Sequence, residues 1–277
     1  MDRSDLAVRM KMYESVSRNY LTRRIPVIIR VDGKAFHSFT AGMKRPFDDD
    51  ILLESMRQTM MYLCEHIQGC VLGYTQSDEI TLVLQDYKTI HTQPWFEYNV
   101  QKCTSVAASM ATMAFNKFFE RNVADGYEHR YDVKDECSMP YDLYKAYTDA
   151  INKGAMFDAR IFNVPIDDVC NNLIWRQQDA VRNSIQQVGQ AYFSHKELHL
   201  KSCNMIQDML MTQKGINWND FPVHLKRGSC CVRRDRERKI PNSGEIITAK
   251  AWVIDKNIPT FTKDRDYIEK EIMVRED

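Results

Sequence analysis

Asp32 is followed at once by Gly33 at the end of an apolar run, and Asp78 stands directly before Glu79 between two further apolar runs. Carboxylates on the ends of neighbouring strands are the donors that hard divalent cations take. Magnesium prefers octahedral oxygen ligands and accepts one or two protein carboxylates, with phosphate and water completing the set. Two such ions about 3.5–4 Å apart activate an attacking oxygen and stabilise a departing pyrophosphate in one in-line displacement. Asp-Gly alone is a common turn dipeptide, so the chemistry depends on whether the fold brings Asp32 and Asp78 together.

The flanking residues describe elements that would do so. In IPVIIRVDG, period-two alternation puts Ile25, Val27, Ile29 and Val31 on one face of a strand and Ile28, Arg30 and Asp32 on the other. After Pro46, the acids Asp48, Asp49 and Asp50 offer an N-cap and a favourable first turn to a helix. Its stripe of Leu52, Met56, Met60, Leu63 and Ile67 keeps to one side of a 3.6-residue period until Gly69. CVLGYTQ and EITLVLQ read as a hairpin with Ser77 and Asp78 at its bend. A long helix from Pro94 to about Arg121 is expected to bury Val106, Met110, Ala114 and Phe118, and MFDARIFNVP is a further strand. A helix over residues 4–20, a mainly helical stretch over 165–215 and mixed strand and loop over 216–277 complete the reading. Strand, helix, hairpin, helix, strand is the split β-α-β plan of ferredoxin-type antiparallel sheets, an α/β (α+β) fold with helices on one face and the other face open.

Composition narrows the function classes. The chain has 277 residues, 44% of them hydrophobic and 27% charged, which fits an ordinary folded domain and excludes disordered or fibrous classes. With 38 basic and 38 acidic residues the formal net charge is zero, so a polyanion partner must be met by a local patch. No apolar run approaches the roughly 20 residues that span a bilayer. The first residues carry acids and no continuous apolar stretch, so they read neither as a secretory signal nor as a transit peptide, and a cytoplasmic location is expected. Eight cysteines without a C-x-x-C pair read as reduced thiols, mostly in the core; that includes Cys64 and Cys70 beside His66, and the adjacent Cys230 and Cys231. Walker A and dinucleotide fingerprints are absent.

RVDGKAFHSF (Arg30 to Phe39), GYTQSDEITLV (Gly73 to Val83), FDARIFNVP and WRQQDAVRNS (Trp175 to Ser184) resemble the tRNA-His guanylyltransferase family, with the two leading motifs in the family's order and separation. The resemblance runs from the first strand to about residue 230. It implies a single unit over 1–277, with a polymerase palm-like catalytic core over about 1–165 and a helical and mixed C-terminal part over 166–277. It implies an enzyme that adds nucleotides to the 5′ end of tRNA in the 3′-5′ direction, with ATP and GTP as substrates and two Mg2+ ions. A 5′-monophosphate is activated by a nucleoside triphosphate, then attacked by the 3′-hydroxyl of the incoming nucleotide, with pyrophosphate released at both steps. Carried over, Asp32, the Gly33 carbonyl and Asp78 are metal ligands, while Gly33, Lys34, Ala35, Phe36, His37 and Ser77 cradle the triphosphate. A homotetramer is also implied.

Other positions stay open between two readings. Glu79 follows Asp78 as a catalytic candidate, but alternation turns it the other way unless the hairpin is irregular, which suits a structural salt bridge. His37 is either a phosphate contact or a satisfied histidine under the loop. Arg30 could neutralise triphosphate charge; Arg45 and Asp48 match family positions near a nucleotide, although the family often has Lys where Arg45 stands, and Arg45 also reads as a solvated loop cation. Eukaryotic members carry His-Ile-Asn-Asn where this chain has Val181, Arg182, Asn183 and Ser184. Arg-Asn-Ser resembles the bacterial and archaeal guanylyltransferase-like branch, which implies template-dependent repair of 5′-truncated tRNAs. Candidate tRNA contacts are Arg182, Asn183, Arg233 and Arg234, within a basic stretch that also holds Lys226, Arg227, Arg236, Arg238 and Lys239; a solvated face is the plain alternative. The rival functions are a nucleotidyl cyclase, for which no Gly-Gly-acidic hairpin is present, and a noncatalytic RNA-binding module, against which the intact Asp32 and Asp78 argue.

Overall fold

The alternating run that begins at Ile25 becomes a central strand because half of its side chains can be buried while its backbone pairs on both edges. In the computed structural model, which describes residues 4–131, 139–239 and 246–272, the described strands are β1 (Val27–Gly33), β2 (Cys70–Gln76), β3 (Glu79–Leu84), β4 (Phe157–Asn163), β5 (Ser229–Lys239) and β6 (Ile246–Asp255). They form one antiparallel sheet in the order β4-β1-β3-β2-β5-β6. The first four strands have the expected ferredoxin-type order, and the β5–β6 ribbon extends the sheet beyond β2. The helices are α1 (Asp5–Ser15), α2 (Phe36–Phe39), α3 (Glu54–His66), α4 (Val100–Tyr131), α5 (Tyr141–Lys153), α6 (Ile166–Tyr192), α7 (His195–Leu198), α8 (Cys203–Lys214), α9 (Val223–Arg227) and α10 (Asp266–Ile272). Helices α2, α5, α9 and α10 are additions to the elements expected from the sequence.

On one face, Val27, Ile29 and Val31 meet Ile80, Leu82 and Leu84, all fully buried beneath α3 and α4. The expected stripe of α3 is buried at Met56, Met60 and Leu63, and Asp48 caps a single wider π turn (Asp49–Leu53) that runs into the helix. Along α4 Ala114 is buried as expected and Val106 and Met110 are partly buried against the core, while the main buried line runs one residue away, at Cys103, Ala107, Ala111, Phe115 and Phe119. Small side chains at its start let α4 approach the sheet. Phe115 and Phe119 then join a ring cluster with Phe36, Phe39 and Phe157, with centroids 5.1–5.8 Å apart. Phe118 is left to the flank under Arg121.

The opposite face is only partly open, which corrects the expectation of a bare surface. Leu72, Tyr74, Val83, Cys230 and Val232 point there and are buried by Val169 and Leu173 of α6 together with Phe261 and Ile268. Further along α6, Ile185 and Val188 form a third core with Ile206, Leu210 and Trp218. The β1–β4 half of this face keeps Arg30, Asp32, Asp158 and Arg160, and the last three have side chains 37%, 59% and 55% exposed. Seven cysteines among the described residues are free thiols, six of them buried. Among the described residues no helix is long and apolar enough to cross a membrane.

Candidate active site

Strand pairing sets the site. Asp32 faces Glu79 across β1 and β3, and the Gly33 N–H donates to the Asp78 carbonyl at 3.1 Å, which seats the end of β1 against the hairpin bend. The sheet therefore brings the two expected carboxylates together. Burial raises the Asp78 carboxyl above its ordinary range and the charge on Asp32 pushes it further, against the Ser77 hydroxyl, which donates to Asp78 Oδ1 at 3.1 Å. A desolvated carboxylate destabilised by a second carboxylate is relieved by a cation, and these oxygens with a main-chain carbonyl suit a hard divalent one.

The loop after Asp32 is tightly constrained. A Cβ on Gly33 would lie 2.2 Å from the Phe36 ring, so glycine is required for that ring to reach the core. Ala35 (φ 54) and Ser77 (φ 50) both occupy the left-handed region, an uncommon conformation for these residues that concentrates at functional loops. Of the five main-chain donors expected to cradle phosphate, two are engaged within the fold: Gly33 with Asp78, and Lys34 with the Met156 carbonyl at 2.8 Å. The N–H groups of Ala35, Phe36 and His37, at the start of α2, have no such partner among the described residues.

This loop borders a cleft of about 540 Å³. Gly33, Ala35, Phe36 and His37 line one end with Ser77 and Asp78, and His37 is exposed there rather than packed under the loop. Arg45 and Asp48 lie on a second side and Asn183 on the α6 side. Asp48 also has structural duties: it is buried, caps the π turn through the Ile51 N–H and accepts from the Tyr147 hydroxyl at 2.8 Å. Burial raises its carboxyl despite those bonds.

Asp32 stands just outside the cleft, on the open half of the sheet, 4.0 Å from Arg160. Arg30 shares that face as expected, but its guanidinium lies 5.8 Å from the Trp175 ring and does not line the cleft. Its Nε is buried and has no hydrogen-bond partner among the described residues. Glu79 is on the same face as Asp32, because antiparallel partners share a side and the bend at Ser77 and Asp78 breaks simple alternation. It accepts from Arg176 Nε at 2.7 Å, and both residues are buried. Burial raises the Glu79 carboxyl while Arg176 and Arg30 oppose that rise.

The candidate tRNA contacts are dispersed. Arg182 pairs with Asp179 at 2.6 Å, outside the cleft. Adjacent residues of β5 point to opposite faces, so Arg233 stacks on Trp252 at 4.9 Å while Arg234 pairs with Glu271 at 2.6 Å. Lys226 is buried and donates to the Asn219 carbonyl. The side chains of Arg238 and Lys239 lie outside the described ones. Sequence reasoning missed Lys44, Gln186, Gln187, Gln190 and His224 in the cleft wall. The three glutamines follow Asn183 at spacings that share a helix face, a signal that equally describes a solvated surface. His224 is 2.8 Å from Asp49; burial pushes the Asp49 carboxyl up, but His224 and Arg57 bring it below its ordinary value.

A model of the family described as tRNAHis guanylyltransferase matches residues 7–165. A bacterial tRNA(His) guanylyltransferase-like protein, solved in complex with ATP, superposes with a TM-score of 0.77 at 39% identity over 98% of this chain and 100% of that one. The probable tRNA(His) guanylyltransferase of Dictyostelium discoideum is 23% identical over 85% of this chain and 86% of that protein. The tRNA(His) guanylyltransferase of Saccharomyces cerevisiae is 23% identical over 75% and 82% respectively. Because the family match spans all four strands of the ferredoxin-type unit, with both carboxylate-bearing ends, this chain belongs to the tRNAHis guanylyltransferase family of 3′-5′ nucleotidyltransferases.

Proposed function

We propose that this chain restores missing 5′ nucleotides on truncated tRNAs, with base pairing to the facing strand of the acceptor stem choosing each addition. The observation that carries the reading is the meeting of Asp32, Gly33 and Asp78 at the mouth of a cleft large enough for a nucleotide. ATP and GTP are the substrates; similar bacterial proteins have been solved with each. Residues 1–165 form the palm-like part that carries the chemistry, and 166–277 help to hold RNA.

Asp32, Asp78 and the Gly33 carbonyl would hold two magnesium ions, which when bound supply charge neutralisation at phosphate oxygens and at departing pyrophosphate. The N–H groups of Ala35, Phe36 and His37 converge on the same end of the cleft and bind triphosphate oxygens. Ser77 helps to orient Asp78, and Glu79 holds the strand end through Arg176. Watson-Crick pairing aligns the attacking 3′-hydroxyl, and a mispair misplaces it, which costs about a hundredfold in rate. The enzyme works as a homotetramer in the cytoplasm.

The test is incubation with magnesium, nucleoside triphosphates and 5′-truncated tRNAs that differ in the base opposite the missing position. The added nucleotide should follow that base across tRNAs of several amino-acid identities. RNA bearing a 5′-triphosphate should need no activating nucleotide, whereas 5′-monophosphate RNA should need one. Preference for full-length histidine tRNA, with G added whatever the opposing base, would overturn the repair reading.

A further inference from the structure

We propose that a second cavity, formed where α6 turns into α7, binds backbone phosphates of the RNA strand as it leaves the cleft; the inference rests on the functional reading above. The cavity is about 500 Å³ and shares Arg45, Gln186 and Gln190 with the cleft, so the two spaces adjoin. Its remaining polar side chains are those of His195, His199 and Lys201, and no acidic residue lines it. Arg offers a fork of donors, and Lys and His add single ones, a set suited to phosphate oxygens.

The acid nearest in sequence is turned to another task. Glu197 lies between the two histidines, but its Oε2 accepts from the Ser194 N–H and hydroxyl, each at 2.7 Å, and closes a capping box at the start of α7. The rings of His195 and His199 have centroids 6.5 Å apart and are exposed. Beneath them, Phe193 and Ile206 belong to the third core, so the cationic rim stands on a packed floor.

Position along α6 argues for RNA over a free nucleotide. The cleft wall on this helix begins at Ala180 and the shared residues reach Gln190, an axial rise of about 15 Å. The second cavity adjoins the cleft at Arg45, Gln186 and Gln190, so a strand that runs on from the cleft brings its phosphates there. Zero formal net charge requires RNA to be held by local cations. Among the β5 cations Arg233 faces away from Arg234 and Arg236, and Arg234 is already paired with Glu271.

The experiment compares wild type with the triple variant His195→Gln, His199→Gln, Lys201→Ala, and with Lys201→Ala alone in case the triple variant melts early. Binding of a 5′-truncated tRNA is measured from 50 to 200 mM salt, alongside KM for the nucleoside triphosphate. The triple variant should bind tRNA about tenfold more weakly and lose about one to two units of salt slope, with KM for the triphosphate unchanged. Lys201→Ala alone should lose about one unit. Unchanged tRNA affinity and slope in folded variants would overturn the proposal. A raised triphosphate KM with unchanged tRNA affinity would also overturn it, and assign the cavity to a second free nucleotide. A wild type that shows the slope difference but adds no nucleotide would refute the repair reading while leaving this cavity as an RNA site.

Discussion

Glu79 and Arg176 form a buried ion pair at 2.7 Å that joins the first residue of β3 to the middle of α6. Arg176 also reaches Asp179, which in turn holds Arg182, so one chain of charges runs from the carboxylate end of the sheet to the outer side of the helix. The pair fixes how α6 lies over the site.

Removing one partner of this pair should be costly. Arg176→Met leaves Glu79 buried without its hydrogen-bonded counter-charge and should lower stability by about 3–5 kcal/mol. The double variant Arg176→Met, Glu79→Gln should recover most of that loss, because no uncompensated charge remains. Urea midpoints of the two single variants and the double variant measure the coupling directly; additive losses would show that the pair is not coupled.

Asp32→Asn and Asp78→Asn should each lower nucleotide addition by about a thousandfold or more, equivalent to ~4 kcal/mol of barrier, without lowering thermal stability. Single-turnover rates at matched magnesium provide the measurement. Activity within threefold of wild type in either variant would sink the metal assignment.

Gly33→Ala should disturb both fold and activity. The added methyl meets the Phe36 ring at 2.2 Å, and moving that ring disturbs its contacts with Phe115 and Phe157. The expected loss is about 1–3 kcal/mol. Replacing Phe36 with Leu in the same chain should return part of the stability, read by urea denaturation, but not the activity, because the loop donors have lost their anchor.

Asp48 supplies a pH test. Its folded carboxyl is raised from 3.8 by burial, so its contribution to stability is greatest below that value, where it is protonated in both states, and is lost as pH rises through the raised folded value. Asp48→Asn keeps the cap through its one oxygen and turns its amide NH2 to the Tyr147 hydroxyl, which can accept. It should therefore match wild type near pH 3 and melt higher than wild type at neutral pH. Thermal melts across that range check it; a variant that is less stable at pH 7 would contradict the sign.

The strands were legible because period-two burial writes itself into side-chain order: Val27, Ile29 and Val31 lie where alternation puts them. The carboxylate pairing of Asp32 and Asp78 was legible through the strand order that the elements implied. On α4 the expectation held at Ala114 but missed the main line by one residue, because its first half packs through Cys103, Ala107 and Ala111, small side chains that hydrophobic bulk does not flag. Arg30 was expected at the triphosphate; alternation gives its face but not its direction along the sheet, which Trp175 helps to set from a helix distant in sequence. The glutamines of α6 gave no sign of lining a cleft, since only tertiary packing separates such a face from a solvated one.

Helix α6 takes part in two of the hydrophobic cores, through Val169 and Leu173 against the sheet and through Ile185 and Val188 against α8, and the cleft wall lies on the stretch from Ala180 to Gln190. The wall is thus not a separate lid that can lift while the rest stays folded. Opening it from within means breaking the packing of one core or the other, so the amides of this stretch should exchange with solvent only in larger cooperative openings. A wall on α6 anchored this way stays in place as a substrate enters, which suits one that threads in along it, as the free end of a nucleic acid strand does.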